Sequence, residues 1–459
     1  MKPSHTIRPC FDDSNLVSAA GLVPALRLAE SAGLYDLLDE YLSIGSANPA
    51  AKSSSVIAGM LAGADCIDDL DVLRHGGMSR LFTGVRAPST LGTYLRSFTH
   101  GHVQQLDKVG GHLVAGLVTR VPGLLAGSDT SDGIAFVDVD DTIGEVHGYA
   151  KQGAGFGYSG IRGLNLQLAT ISTPLAAPVI ARTRLRKGNT ASAAGAGRML
   201  AQAISTARAA GVKSQIMARA DSAYYGHAFV GTAIRHQAWF SVTARMNPAV
   251  VKAITSIDDD AWTPISYPNA VFDEAEQRWI SDAEVAEVDF TAFTGRRKAD
   301  HVACRLVVRR VKRLQPRAGD GTEQGELFAA YRHHAFITNS TLGTVEADQH
   351  HRDHAQVEQV IAELKNNALA HLPSGKYAAN SAWVAHTVIA FNLARAAAVA
   401  AGQARARWAT LRTQIINVPA RIATTGRRLV LHLPTQWPWA TSWQALHQCA
   451  TGPPPTAAI

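Results

Sequence analysis

The stretch Ile134-Ala135-Phe136-Val137-Asp138-Val139-Asp140-Asp141-Thr142 decides the fold. Its apolar residues form a short continuous run that gives way to polar ones, which reads as a buried strand entering a polar loop. Side chains alternate along a strand, so Asp138 and Asp140 share one face and Asp141 takes the other. Asp140 stands at the expected strand end, where its carboxylate reaches solvent. Asp138 reads as a supporting group or as a capped loop acid.

Working outward, two further strands are expected at Leu164–Ser172 and Pro178–Thr183, then a helix over Ala191–Ala209. A fourth strand, Ser214–Ala220, ends at Asp221. Three strands, a helix and a fourth strand form the order of a ribonuclease-H-like core, an α/β fold. There the first carboxylate lies on strand one and the second follows strand four. Asp221 alone also reads as an ordinary turn or N-cap acid ahead of Ser222-Ala223-Tyr224-Tyr225.

The first 125 residues read as mostly helical. Val23–Leu42 and Ala50–Leu61 carry apolar residues at helical spacing, and Gly33 splits the former into two helices. Pro88-Ser89-Thr90 opens a helix over Leu91–Phe98, and another follows over His102–Leu117. The shorter one exposes Thr90, Thr93 and Arg96, as a helix-turn-helix recognition helix or as part of a plain helical bundle. Val121–Gly133 is small, polar and Gly-rich, the composition of a linker. The first part of the core then spans 133–236. Residues 237–330 alternate like antiparallel strands and form a β-rich insertion. It carries the densest basic region of the chain: Arg296, Arg297, Lys298, Arg305, Arg309, Arg310, Lys312, Arg313 and Arg317, with Asp300 as the acid among them. That composition suits a phosphate-binding surface, and a solvated charged face is the plainer reading. The core resumes over 331–402, and 403–459 forms a C-terminal region with a Pro-rich tail expected to be disordered.

Composition excludes several classes. With 44 Lys+Arg against 37 Asp+Glu, the chain is moderately basic, compatible with a polyanionic partner. Cys10, Cys66, Cys304 and Cys449 form no CxxC pair, so neither a disulfide framework nor a cysteine zinc site is expected. The opening Met1-Lys2-Pro3-Ser4-His5 lacks the apolar core of a signal peptide. The apolar stretch Ala382–Ala401 is interrupted by His386, Asn392 and Arg395, so a buried helix is expected there and no membrane partner. The expected location is cytoplasmic, at the nucleoid. His350, His351 and His354 offer zinc no third ligand at convincing spacing, and HExxH is absent. No Walker A, GxSxG or GxGxxG pattern occurs.

Glu358 lies in the helical stretch His351–Lys365. At helical pitch, His351, His354 and Lys365 fall within roughly 40° of it, and Glu363 lies about 140° away, a solvent-side charge. One acid flanked by cationic or proton-donating groups suits a metal ligand beside phosphates; a surface ion pair is the plainer reading. Together the residues resemble the DDE transposases of bacterial insertion sequences, most nearly the group named IS thirteen-eighty. The resemblance rests on Asp138-Val139-Asp140-Asp141-Thr142 with Gly148, Leu185-Arg186-Lys187-Gly188-Asn189, Arg219-Ala220-Asp221-Ser222 and Thr338-Asn339. It also rests on His351-Arg352-Asp353-His354-Ala355-Gln356-Val357-Glu358 running to Glu363-Leu364-Lys365, on Phe11-Asp12-Asp13 and on Asn380-Ser381-Ala382-Trp383.

The resemblance implies Asp140, Asp221 and Glu358 as catalytic ligands of two Mg²⁺ ions, with Mn²⁺ able to substitute. Lys365 matches a signature lysine seven residues after the glutamate. That signature has Tyr and Arg where this chain has His351 and His354, and Arg352 stands by to supply the permanent charge. The implied activity is cutting and joining double-stranded DNA at terminal inverted repeats and into target DNA, with two ends held by a homodimer or larger synapse. The alternative is a catalytically inactive DNA-binding protein, repressor or architectural, derived from such an enzyme; a nuclease without strand joining is a third.

Overall fold

Gly33, at φ +86°, splits the first apolar stretch into α1 (Leu22–Ser31) and α2 (Leu34–Tyr41). The structure, a computed structural model, describes residues 5–266, 272–273, 278–279, 283–312, 331–426 and 428–453. The longer helices that follow are α3 (Pro49–Ala62), α4 (Pro88–Arg96) and α5 (His100–Arg120). α5 starts on a capping box in which Thr99 accepts the His102 N–H and the His102 ring accepts the Thr99 N–H. α4 buries Leu91, Tyr94 and Leu95 and exposes Ser89, Thr90, Thr93 and Arg96. The expected linker is packed instead. Leu124 and Leu125 are buried, and the Ser128 carbonyl accepts the N–H groups of Lys213 and Ser214.

The run around Asp138 forms β1 (Ile134–Glu145), which extends past Asp140. From Phe136 to Glu145 it pairs antiparallel with β2 (Arg162–Thr173), and β2 pairs with β3 (Ala176–Lys187). After α6 (Ala196–Ala209), β4 (Gln215–Ala220) pairs in parallel with β1, but only over Ile134–Val139. Asp140 therefore lies inside its strand, at the point where the parallel neighbour stops, and not at the strand end. The polar residues beyond it stay extended because β2 continues the ladder.

α7 (His227–Arg235) crosses over to β5 (Trp239–Thr243), parallel to β4. The insertion strands β6 (Ala283–Ala292) and β7 (Val302–Lys312) extend the same sheet through β8 (Tyr331–Thr338), the strand on which the core was expected to resume, because β8 pairs antiparallel with both β7 and β5. The order β3-β2-β1-β4-β5-β8-β7-β6 makes one large mixed sheet in an α/β protein.

The expected helix from His351 to Lys365 is broken. α8 (Thr344–Arg352) ends in a tight turn, Asp353–Ala355, before α9 (Gln356–Lys365) begins. α9 packs on β1 and β3, and α10 (Tyr377–Ala400) packs on β3, α3 and α5. α10 is long and apolar enough to cross a membrane, yet 94% of its most apolar window is buried inside the protein. Its polar residues have partners there: Asn392 both accepts from and donates to the Ile180 backbone at 2.8 Å, in the manner of a neighbouring strand. The chain then returns to its start, where Ala420–Thr425 pairs with Leu16–Val17 and with Arg428–His432.

Candidate active site

The register of β1 and β4 sets Asp138 beside Arg219 and Val139 beside Ala220. The ladder stops there, and Asp140 and Asp221 are the next residue on each strand, close enough for the Asp221 charge to act on Asp140. Alternation puts Asp138, Asp140, Arg219 and Asp221 on one face. Asp138 and Arg219 are both 0% exposed and form a two-point ion pair, with Arg219 donating to the two carboxylate oxygens at 2.6 and 2.8 Å. Arg219 also donates to the His350 carbonyl at 2.5 Å and lies 3.9 Å over the Phe136 ring. The Nδ1 of His354 reaches Asp138 at 3.0 Å. Burial pushes the Asp138 carboxyl up, but Arg219 and His354 outweigh it and hold the group below the usual carboxylate range.

Asp141, on the opposite face, is engaged as fully. It accepts from Arg186 at 3.0 Å, from the Tyr224 hydroxyl at 2.8 Å and from Asn165. Arg186 is itself held by Asn165 Oδ1 and by the carbonyls of Ala191, Ser192 and Ala194 ahead of α6. The two acids flanking Asp140 are thus locked into buried arginine pairs.

Asp140 differs. Its Oδ1 accepts the Asp141 N–H at 2.7 Å, and among the described residues it forms no ion pair. Burial, with the negative charges of Asp221 and Asp141, pushes its pKa up to about 6, against the pull of the Asp141 N–H and His354. Asp221 caps the turn Ser222–Tyr224 by accepting the Ala223 N–H at 2.9 Å. Burial raises its pKa as well, and the charge of Asp141 adds to this. A pair of carboxylates that lifts proton affinity in this way is one that a hard divalent cation would relieve.

Glu358 is exposed near the start of α9, without an ion pair among the described residues. α9 runs alongside β1. His354, just ahead of it, meets Asp138, whereas Lys365 and Leu369–Pro373 line the same cleft as Ile143–His147. The three carboxylates are not gathered to ligand spacing: among the described residues, the group lying within 4.8 Å of one another is Asp65, Cys66 and Asp69.

The residues expected at DNA divide into several environments. His351 is enclosed, its two ring nitrogens 2.8 Å from Ser241 Oγ and 3.0 Å from Thr243 Oγ1, its ring stacked on Phe336 at 4.1 Å. Burial, then the neighbouring cations, push its pKa well below the usual histidine value. It does not share a face with Glu358, because the turn at Asp353–Ala355 breaks the wheel. Arg352 and Arg309 both meet the buried Asp348, at 2.9 and 3.1 Å. His354 faces Asp138. Lys365 lines the cleft, where burial lowers its pKa.

Within the insertion, Arg305 pairs with Glu287 and Arg310 with Glu284, acids on the neighbouring strand. Arg296 and the exposed Arg297 reach Asp300 at 3.2 and 3.5 Å, and Lys298 is exposed beside them. The Lys312 side chain, Arg313 and Arg317 lie outside the described residues. Glu363 corrects the expectation of a solvent-side charge. It meets Arg395 at 2.5 Å and accepts the Trp408 N–H at 2.9 Å, because α10 and the segment after it cover that side of α9.

Arg186 and Arg219 are the residues whose roles the sequence reading missed. A signal existed: between Glu145 and Asp221 the chain has no carboxylate, so the arginines of that span had to find acids outside it. No curated protein matches the chain. Residues 2–450 match the family described as Transposase DDE domain group 1. A family match over almost the whole chain joins the two carboxylates, Asp140 on β1 and Asp221 just past the end of the parallel strand β4, and the chain belongs to the DDE transposases of that group.

Proposed function

We propose that this transposase cuts and joins DNA at the terminal inverted repeats of an insertion sequence of the IS thirteen-eighty group, using Asp140, Asp221 and Glu358. One observation carries the assignment. Of the acids clustered on β1, Asp138 and Asp141 are neutralised by buried arginines, which leaves Asp140 beside Asp221. The order β3-β2-β1-β4-β5, with the first acid on β1 and the second after β4, supports a ribonuclease-H-like core.

The donor set fits Mg²⁺, with Mn²⁺ as a substitute, because all three groups offer carboxylate oxygen and none has a cationic side chain bound to it among the described residues. Such ions would supply Lewis acidity at the phosphodiester and activate water or a 3′-hydroxyl. The chain does the placing. Arg219, by holding both Asp138 and the His350 carbonyl, fixes the end of α8 against β1, and His354 ties the turn before α9 to the same carboxylate. On this reading, both contacts hold α9, which carries Glu358, against the strand that carries Asp140. Lys365 in the cleft and the exposed Arg297 and Lys298 would meet phosphates, and the exposed Thr90, Thr93 and Arg96 of α4 would meet a repeat. Two ends require a homodimer or larger synapse.

The test incubates the protein with labelled duplex carrying its element's ends and Mg²⁺, beside D140N and E358Q. End-specific cuts exposing a 3′-hydroxyl, absent from both variants, are expected. A second reading, a DNA-binding derivative without cleavage, draws on the ungathered triad. End binding without metal-dependent cutting would select it.

A further inference from the structure

Between Glu145 and Arg162 the chain forms a segment whose backbone is tied down while its aromatic side chains are exposed. Arg162 donates to the carbonyls of Gly148 and Tyr149 at 2.6 and 3.2 Å. Gln152 N–H donates to the Gly375 carbonyl, and Gly188 N–H to that of Gly153, both at 3.0 Å. Gly155 and Phe156 pair with Gly163 and Arg162. A Cβ on Gly188 would stand 2.0 Å from the Gly163 carbonyl oxygen and 2.4 Å from that of Gly155, so the missing side chain is what lets these backbones close up.

On this fixed frame Tyr149 is 99% exposed, Tyr158 81% and Phe156 66%. Apolar surface held rigidly in water marks an interaction site rather than a fraying loop. Its position names the partner. One flank borders a cleft of about 930 Å³ lined by Lys151, His147, Lys365, Ser89 and Arg96. The same segment sits at the end of the strand that carries Asp140: Ile161 lines that cleft together with Ile143–Glu145, which follow Asp140 on β1, and the charges of Asp141, Asp140 and Asp221 add to burial in raising the Tyr158 pKa. The segment itself holds Lys151 and Arg162 and no acid. Aromatic rings between cations and the proposed phosphate-cutting site suit a nucleic acid strand, and unpaired bases offer such rings their faces, which inside a duplex are covered by neighbouring pairs.

We propose that Tyr149, Phe156 and Tyr158 form a stacking platform for unpaired bases of the DNA strand whose phosphate lies at Asp140 and Asp221. This rests on the transposase reading and adds a preference to it: the protein favours DNA that is frayed or already opened at the end it acts on. Stacking tolerates sequence, so the platform adds affinity without fixing which base is read.

The test measures binding of the full chain to a labelled blunt duplex and to the same duplex with an unpaired thymidine tail carrying 2-aminopurine. Wild type is expected to bind the tailed form more tightly and to quench the 2-aminopurine. Y158A, and more so Y158A/F156A, loses roughly five- to hundredfold of tailed-duplex affinity and the quench. Blunt-duplex binding is unchanged, and Y158F keeps both. Equal affinity of wild type and Y158A/F156A for the tailed duplex, with the quench intact, would overturn the platform and leave the transposase reading standing. Wild type that binds neither duplex would overturn both. A variant that changes oligomeric mass and not tailed-duplex affinity would reassign the rings to a contact between copies and overturn it too.

Discussion

Replacing Arg219 by Met would leave Asp138 buried at 0% exposure with His354 as its remaining side-chain donor. Removing one partner of a buried pair costs about 3–5 kcal/mol, because the other charge stays desolvated. D138L strands Arg219 in the same way and should cost a similar amount. The double variant D138L/R219M has no charge to strand. It loses the bonds to the His350 carbonyl and to His354, worth about 1 kcal/mol each, so a total near 2 kcal/mol is expected rather than the sum of the singles. Urea midpoints followed by circular dichroism, at constant slope, give the coupling directly. It should reach at least about 4 kcal/mol on these figures. If the double variant loses as much as the two singles together, the pair is not the closed unit described here. The double variant also frees the turn before α9 from β1 while keeping Asp140, Asp221 and Glu358. End cutting should therefore fall in it even where end binding survives.

Three further outcomes follow from the same structure. E358A should change stability by no more than about 0.5 kcal/mol and abolish metal-dependent cutting, whereas E363A, which strands Arg395, should cost about 3 kcal/mol or more; urea midpoints and the cutting assay separate the two. Burial lowers the His386 pKa to about 4, against 6.5 unfolded, so its contribution is intact above pH 6.5 and is lost as pH falls from 6.5 toward 4. The loss is about 3 kcal/mol over that window, and H386Q should flatten the stability profile there relative to wild type. G116A should destabilise by about 1–3 kcal/mol or more, because its Cβ would sit 2.1 Å from the Ala32 carbonyl oxygen, a backbone atom; a shift in thermal midpoint checks it.

What the sequence showed clearly were features set by local pattern. The split at Gly33, the strand at Asp138 and the enclosure of Ala382–Ala401 all follow from periodicity and composition, and all appear in the structure. What it hid depends on partners distant in the chain. Where β1 ends is decided by β2, which continues past the last residue of β4. The face of Glu363 is decided by Arg395 and Trp408. The basic run in the insertion looks unpaired along the sequence, yet antiparallel pairing sets Glu284 and Glu287 across from it. The wheel around Glu358 failed at His351 because a tight turn at Asp353 resets the angle, and no proline or glycine announces that break.

The arginine pairs bear on why this strand tolerates so many acids. Two divalent ions carry four positive charges; on the proposed reading Asp140, Asp221 and Glu358 answer three, which leaves one for the phosphodiester that must lie against them. Were Asp138 and Asp141 also unpaired, five carboxylates would exceed the charge of the ions, and a phosphate would meet net repulsion. Arg219 and Arg186 remove that excess from opposite faces of β1. They do so from inside the fold, where salt screens them much less than it screens surface pairs. The same two side chains hold the α8 end and the loop before α6, so the charge balance of the site and the position of its walls are set together.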